Sequence, residues 1–276
     1  MVDPAASAPA ALHDGGAVGA DARSGRRFLT VRAAIVGDDT VSAAERRSAL
    51  VELSDAWLAT LFDALPPAST IGMSLVAVGG YGRRELLPCS DLDVLLLHAD
   101  GGDVAAVANG DFYPVWDSGA APDNAVRTVA EPRPVAADEL AVALGLVDAR
   151  HVAGDPKVTE SLRTGVLRDW RRQAAVRLPK LAQAGRARLA EVGELAHMLE
   201  PDLKQAYGGL RDIVALRAVA ASGVADRPHA HAVSEAHEWL LVVRDALHRT
   251  TGRRHDRLVF EDQDTVAASL GLLDAD

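Results

Sequence analysis

Cysteine is almost missing from this sequence of 276 residues, in which Cys89 stands alone. A disulfide within the chain is therefore excluded, and a reducing cytosol is the natural setting. Long apolar runs are missing too, because no stretch approaches the roughly 18 apolar residues of a membrane-spanning helix. The first residues also have no apolar core behind a basic start. These absences predict a cytoplasmic protein with no membrane contact.

An excess of positive charge is also missing. The chain has 29 Lys and Arg residues against 39 Asp and Glu residues, which gives a formal net charge of -10. Such a surface has no general basic field to attract a nucleic acid, so nucleic acid is not a predicted partner. An anionic ligand must instead be bound locally, by a few arginines or through a metal ion.

The apolar pattern divides the chain into three parts. Residues 1–26 are mostly small residues, which cannot bury enough surface to offset their ordering entropy, so we predict a disordered tail. Residues 27–155 are predicted to form a domain in which helices cover a small mixed sheet. Its predicted helices span 42–65 and 103–116 and begin again at 139, and its strands span 74–78, 94–97 and 125–129.

Strand signals fade after residue 155, and residues 156–276 are predicted to form a second, all-α domain. The expected helices span 158–177, 178–200, 210–222, 234–250 and 262–270. The sheet domain alone fits α/β or α+β, and together with the helical domain the prediction is α+β.

The chemistry-bearing residues are concentrated between positions 78 and 95. Gly79 and Gly80 end an apolar strand, and glycine lets bare backbone N–H groups approach a phosphate chain. Asp91 and Asp93 follow at the start of the next strand, where alternate residues project from one face and place two carboxylates side by side.

Two adjacent carboxylates repel each other unless a cation lies between them. Magnesium, held by carboxylates and substrate phosphates, meets this need, and two ions roughly 3.5 to 4 Å apart can clamp the attacking and leaving oxygens of a displacement. The arrangement predicts phosphoryl or nucleotidyl transfer.

Three other phosphate motifs fit this stretch less well. A P-loop is excluded because no lysine follows the glycines. A dinucleotide-binding site is disfavoured because Arg83 and Arg84 follow Gly82 where a third glycine is needed. In phosphatases with an aspartyl nucleophile the apolar strand precedes the two acids, whereas here it follows them.

The spacing of these residues resembles the signature of the DNA polymerase β type nucleotidyltransferase superfamily. Gly79 and Gly80 are followed, after nine residues, by Ser90, Asp91, Leu92 and Asp93. The longer stretch 79–97 resembles the bifunctional PII uridylyltransferase/uridylyl-removing enzyme family, GlnD, and further segments support this narrower match. They are 126–128, 146–150, 154–155, 200–204, 208–212, 244–248, 252–254 and 256–258.

The resemblance implies a five-stranded mixed sheet in a nucleotidyltransferase domain, followed by a helical domain that closes over the nucleotide. It also implies the transfer of UMP from UTP, or of AMP from ATP, to a tyrosine of a PII nitrogen-regulatory protein, with release of pyrophosphate. The family's uridylyl-removing and glutamine-sensing activities belong to HD and ACT domains beyond Asp276, so we expect this chain to be an amino-terminal fragment.

The predicted site combines both lines of reasoning. Asp91 and Asp93 are the expected Mg²⁺ ligands, and the superfamily implies a third acid, for which Asp123 is the candidate. Gly79 and Gly80 are expected to bind the triphosphate through backbone N–H groups. The remaining candidates each have a structural alternative such as a cap, a solvent-facing side chain or a helix start: they are Ser90, Arg83, Arg84, Lys204 and Arg211.

Two other functions remain open at this stage. The chain could bind nucleotide or PII without turnover, or it could modify another protein such as glutamine synthetase. The presence of both acids favours the enzyme, and the segments after residue 154 favour the PII-directed family.

Overall fold

A computed structural model of the chain describes residues 16–99, 125 and 126, 140–225 and 230–272. The predicted helix 103–116 and the candidate acid Asp123 lie outside the described residues. The elements in chain order are α1 (Gly16–Gly37), α2 (Ala43–Asp63), α3 (Pro67–Thr70), β1 (Met73–Ala77), α4 (Gly79–Gly82), β2 (Val94–His98), β3 (Ala125–Val126), α5 (Leu140–Val147), β4 (Arg150–Gly154), α6 (Pro156–Arg172), α7 (Ala174–Val192), a 3₁₀ turn (Leu195–His197), α8 (Leu210–Ser222), α9 (Ala230–Thr251) and α10 (Phe260–Ser269).

The four described strands form one mixed sheet in the order β3-β2-β1-β4. Strand β1 is antiparallel to both β2 and β4, and β2 is parallel to β3. The prediction that 74–78 and 94–97 are neighbouring strands is confirmed, with Leu75 opposite Leu96. The fifth strand that the family resemblance implied is not among the described residues.

Helices cover both faces of the sheet, which is why β1 is buried at every position and β2 at every position but its last, rather than at alternate positions. Leu75 and Leu96 point into a core formed with α1 and α2. Val76 and Leu97 point to the opposite face, into a core formed with α5, α6, α7 and α8. The end of β1 is therefore fixed in position from both sides.

Helix α2 forms where the sequence predicted it. Ser42 and Glu45 make a capping box, in which the Ser42 hydroxyl accepts from the Glu45 amide and the Glu45 carboxylate accepts from the Ser42 amide. Trp57 on the buried face of α2 stacks on Phe28 of α1, with ring centroids 4.1 Å apart. The helix therefore links α1 to the sheet.

The part after β4 is helical, as predicted, and α8 has the predicted bounds. The boundary between α6 and α7 falls at Gln173 rather than at residue 177. Helix α7 ends at Val192 rather than at residue 200, because Gly193 leaves the helical conformation with a φ of +98°.

Two expectations need correction. The predicted disordered tail 1–26 is wrong in its second half, because α1 begins at Gly16. Strand β4 was not predicted from the sequence, since Arg150 and His151 give it a polar start at the edge of the sheet.

The proposed division at residue 155 stays a prediction, because α6 packs against β1 and β4 as well as against α7 and α8. Within the residues that the structure describes, no helix combines the length and apolar character needed to span a membrane.

Candidate active site

A cleft of about 500 Å³ opens where the end of β1 meets the helices of the second part. It is lined by the glycine turn α4, by the segment that leads into β2, and by residues of α5, α7, α8 and α9. Most predicted site residues that the structure describes lie on its wall: they are Gly79, Gly80, Arg83, Ser90, Asp91, Asp93, Lys204 and Arg211.

Asp91 and Asp93 both line the cleft, while Leu92 between them is 1% exposed and lies in the core. The alternation expected for an extended segment therefore holds, although β2 itself begins one residue later, at Val94. The carbonyl of Asp93 accepts from the Val78 amide at 3.0 Å, which ties this segment to the end of β1. The backbone thus fixes both acids beside the glycine turn.

Position 79 requires glycine because its backbone lies close to the Asp93 carboxylate. It has a φ of +57°, and a Cβ placed on it would lie 3.1 Å from Asp93 Oδ2. A side chain here would have to displace the carboxylate as well as adopt a strained backbone. The amides of Gly79 and Gly80 precede the first hydrogen bond of the turn, which Gly82 donates to the Val78 carbonyl at 2.9 Å.

Asp91 forms an ion pair with Arg254, which lies in the loop between α9 and α10. The Arg254 side chain is 54% exposed, so it can leave the pair without breaking buried packing. Arg254 has no predicted role in the sequence analysis, because nothing near it in the sequence suggests contact with the glycine turn.

Basic side chains outnumber acids on the cleft wall. Six line it against three carboxylates, in a chain whose net charge is -10. The local concentration of positive charge that an anionic ligand requires is therefore present. The six are Arg83, Arg188, Lys204, Arg211, Arg244 and Arg254.

These basic residues differ in how firmly other side chains hold them. Lys204 Nζ lies 3.6 Å from Asp256 Oδ2, and Arg188 is paired with Asp212 of α8. Arg211 is exposed, and no acceptor in the described part of the chain lies within hydrogen-bonding distance of its guanidinium. Arg211 is therefore well suited to receive an anionic group.

Arg83 is held in the structure by two ion pairs, whereas the sequence suggested contact with a phosphate. Its Nε lies 2.7 Å from Glu85 Oε2 and its Nη1 lies 3.0 Å from Asp148 Oδ2. Burial opposes ionisation of Glu85, but the hydrogen bond from His237 and the charge of Arg83 outweigh it, so the pKa of Glu85 is lowered. The side chain of Arg83 therefore holds the glycine turn against its neighbours at the edge of the cleft.

Arg84 does not join the other site residues. It does not line the cleft, and its guanidinium lies 3.9 Å from Glu52 and 3.8 Å from Asp55 of α2. Its φ of +64° turns the chain there. Ser90 does line the cleft, and its hydroxyl oxygen accepts from the Leu87 amide at 3.0 Å, so one of its roles is to close the turn before Asp91.

The donor chemistry of the two aspartates fits a divalent cation, because magnesium is commonly bound by one or two carboxylates together with phosphate oxygens and water. In the described part of the chain, no group of three or more His, Cys, Asp or Glu residues could hold a metal ion. The predicted third ligand, Asp123, lies outside those residues, so the protein's own contribution seen here is Asp91 and Asp93.

Comparisons with known proteins bear out the family resemblance. Residues 178–276 match the family model described as GlnD PII-uridylyltransferase. The chain is 56% identical over 252 residues to a bifunctional uridylyltransferase/uridylyl-removing enzyme of Streptomyces coelicolor, covering 90% of this chain and 30% of that protein.

Proteins of the same name from two other organisms are also similar. The one from Mycobacterium tuberculosis is 41% identical over 83% of this chain and 29% of its own length. The one from Thiobacillus denitrificans is 36% identical over 82% of this chain and 28% of its own length. The chain thus spans about 30% of the length of the curated relatives that it matches.

Proposed function

Because the chain belongs to the family of bifunctional uridylyltransferase/uridylyl-removing enzymes, we propose that its cleft transfers a nucleotidyl group from a nucleoside triphosphate to a protein. The donor is UTP or ATP, the acceptor is a tyrosine of a PII nitrogen-regulatory protein, and the second product is pyrophosphate. The chain spans about 30% of its relatives' length, and the proposed activity is the forward transfer alone.

One observation carries this proposal. Asp91 and Asp93 line the same cleft as Gly79 and Gly80, and this cleft is locally basic in an acidic protein. Carboxylates suit a metal ion, and basic side chains with bare glycine amides suit phosphates. Together they suit a metal-bound triphosphate better than a neutral or cationic ligand.

Asp91 and Asp93 are the residues that would hold Mg²⁺, with Asp123 as the predicted third ligand. A bound Mg²⁺ would neutralise charge on the phosphates and on the displaced pyrophosphate. Arg254 now neutralises Asp91, and it would exchange this carboxylate for a phosphate oxygen when nucleotide binds.

The protein's own side chains would provide positioning and charge. Arg211 and Lys204 face the cleft and would bind the β- and γ-phosphates, while the Gly79 and Gly80 amides would contact the chain from the other side. The tyrosine oxygen would then lose its proton to solvent and form a bond to the α-phosphorus, while the bond from that phosphorus to the pyrophosphate oxygen breaks. Holding both groups in line is the contribution that these residues make.

The test is label transfer by the chain and its neutral variants. The chain is incubated with PII, Mg²⁺ and α-labelled UTP or ATP, beside the variants Asp91→Asn and Asp93→Asn. We expect each variant to lower the labelling rate by roughly 100-fold or more, since the removed charge acts on the reacting phosphates. The exposed Asp63, on the far end of α2, supplies the matched control Asp63→Asn, which should label PII at the parent rate.

Two results would count against this function. Labelling by Asp91→Asn and Asp93→Asn at the parent rate would overturn the catalytic assignment. Nucleotide binding by the parent chain without label on PII would instead support the alternative of a non-catalytic binding fragment. A parallel reaction with glutamine synthetase in place of PII tests the other acceptor.

A further inference from the structure

The cleft has an apolar side that phosphate chemistry does not explain. Helices α5, α7 and α8 pack on one another, and α5 also contacts the glycine turn α4. Together the three helices present a continuous apolar wall next to the turn. The wall consists of Leu140, Ala141, Leu144 and Gly145 of α5, Leu181 and Ala184 of α7, and Leu210 and Val214 of α8.

Gly145 differs from the glycines of the turn because the backbone does not require it. Gly79 has a positive φ, and a Cβ on Gly82 would lie 2.3 Å from the Asp148 carbonyl oxygen. Gly145 lies in α5 without a positive φ, and a Cβ there would meet no heavy atom of the described residues within 4 Å. Glycine is disfavoured relative to alanine within a helix, so neither backbone geometry nor packing among the described residues accounts for it.

In the part of the chain that the structure describes, Gly145 therefore leaves open space on the cleft wall. A larger side chain would fit the helix but would project into the cleft, which has a volume of about 500 Å³. Pockets of roughly 300–1,000 Å³ with mostly apolar walls and a few polar groups are typical of small-molecule sites. The space beside Gly145 is thus large enough to be part of a ligand site.

We propose that the nucleotide base lies on this apolar wall, against the backbone of Gly145. The inference rests on the proposed function, which places the triphosphate at the Gly79–Gly80 end of the cleft. Because α5 contacts α4, a ligand whose phosphates lie at the turn has the wall within reach of its other end. A heterocyclic base is flat and has apolar faces, so it packs on leucine side chains and benefits from the absence of a Cβ at Gly145.

Charge complementarity favours this occupant over a purely apolar one. The wall is continuous with the carboxylates, with Arg211 and with Lys204, all of which line the same cleft. A ligand that fills it must be anionic at one end and apolar at the other. A nucleoside triphosphate has both properties, whereas an apolar peptide or acyl chain would offer no anionic group to Arg211.

The experiment compares nucleotides with inorganic tripolyphosphate, which lacks both base and ribose. Calorimetric Kd values for UTP, ATP and tripolyphosphate are measured with Mg²⁺ for the parent chain, Gly145→Leu and Ala184→Leu. Each substitution should weaken binding of the preferred nucleotide by about tenfold or more and leave the tripolyphosphate Kd within about twofold. The melting temperature of Gly145→Leu should stay the same or rise, since leucine favours helix more than glycine does.

Gly37 supplies the matched control. It lies at the exposed end of α1, away from the cleft, and a Cβ there also meets no heavy atom of the described residues within 4 Å. Gly37→Leu should therefore leave all three Kd values unchanged.

The proposed base site is overturned if neither Gly145→Leu nor Ala184→Leu weakens nucleotide binding more than it weakens tripolyphosphate binding. If the parent chain binds nucleotide but labels no protein, the proposed reaction is contradicted. The base site is then still tested by the Kd values of the two variants. A parent chain that binds tripolyphosphate as tightly as it binds nucleotide overturns the base site while leaving the phosphate end intact.

Discussion

His248 shows how strongly a single buried residue can couple stability to pH. It lies on α9 with no exposed surface, and its Nδ1 is 3.4 Å from the Cys89 amide, two residues before Asp91. Burial, reinforced by the charge of Arg244, lowers the pKa of His248 to about 4. The neutral ring therefore packs beneath the segment that leads to Asp91 and Asp93.

The lowered pKa predicts a loss of stability in mild acid. The unfolded chain takes up a proton near pH 6.5 while the folded chain resists it until about pH 4, so stability is complete above pH 6.5 and declines as the pH falls. This residue should make the free energy of unfolding about 2 kcal/mol lower at pH 5 than at pH 7.5. Urea unfolding of the parent and of His248→Gln at both pH values measures this difference.

The pH dependence, rather than the absolute stability of the variant, is the quantity to compare. His248→Gln should lose most of the difference between pH 5 and pH 7.5, because glutamine does not titrate. His197, whose side chain is 79% exposed, supplies the control His197→Gln, which should keep the difference. A parent protein and a His248→Gln variant with the same pH dependence would show that the ring does not resist protonation in the folded state.

At the scale of elements, the glycine turn α4 depends on close packing as well as on backbone freedom. A Cβ on Gly82 would lie 2.3 Å from the Asp148 carbonyl oxygen and 3.0 Å from that of Ala77. Because both contacts are with backbone, no flexible side chain can move aside. Gly82→Ala should therefore destabilise the protein by about 2 kcal/mol or more, measured by urea unfolding.

The same turn contains the control for this prediction. The nearest atom to a Cβ on Gly80 is Arg83 Nη2 at 3.9 Å, which is ordinary contact distance. Gly80→Ala should change the free energy of unfolding by less than about 0.5 kcal/mol. Equal losses in the two variants would mean that the turn is sensitive to any Cβ, and that the approach to Asp148 is not the cause.

Elements with strong local signals were the ones that the sequence predicted. Helix α2 has a capping box and two following prolines, and β1 and β2 are apolar except at Ser74 and His98, because both sheet faces are covered. Strand β4 has a polar start, and α1 begins among small residues, so neither has a local pattern that distinguishes it from loop or tail. Pairing with β1 and packing on α2 form these elements, and such contacts are not encoded in a short window of sequence.

At the scale of the whole molecule, the residues of the candidate site also fall into two groups, those that the sequence predicted and those that it did not. Gly79, Gly80, Asp91 and Asp93 lie in one short stretch, and their spacing alone predicted a common site. Arg254 reaches Asp91 from the loop after α9, and Gly145 joins the cleft through the packing of α5 on α4. The sequence could not predict these partners, because their proximity depends on how the two parts of the chain pack together.

A buried ion pair connects these two parts. Arg46 of α2 and Asp245 of α9 have side chains that are 2% and 3% exposed, and Arg46 Nε lies 3.2 Å from Asp245 Oδ2. The Arg46 guanidinium also donates to the carbonyls of Ile35, Val36, Asp38 and Val41. Arg46 therefore joins α9 to α2, to the end of α1 and to the loop between α1 and α2.

The two partners should differ in their contribution to stability. Asp245→Asn leaves Arg46 with its carbonyl acceptors and should lower the free energy of unfolding by about 2 kcal/mol. Arg46→Met leaves a buried carboxylate without its partner and also deprives those carbonyls of their donor, so we expect about 4 kcal/mol. Adding Asp245→Leu to Arg46→Met should recover part of this loss, because it removes the unpaired charge.

Unfolding in urea, followed by far-ultraviolet circular dichroism and tryptophan fluorescence, measures all three variants. Trp57 lies on α2 and Trp239 on α9, so fluorescence reports on both sides of the pair. If the ion pair couples the two parts, both signals should change in one coincident transition in the parent protein. If Asp245→Asn lowers the free energy of unfolding as much as Arg46→Met does, removal of the acid accounts for the whole effect. The carboxylate, rather than the carbonyl-bound guanidinium, would then be the main connection.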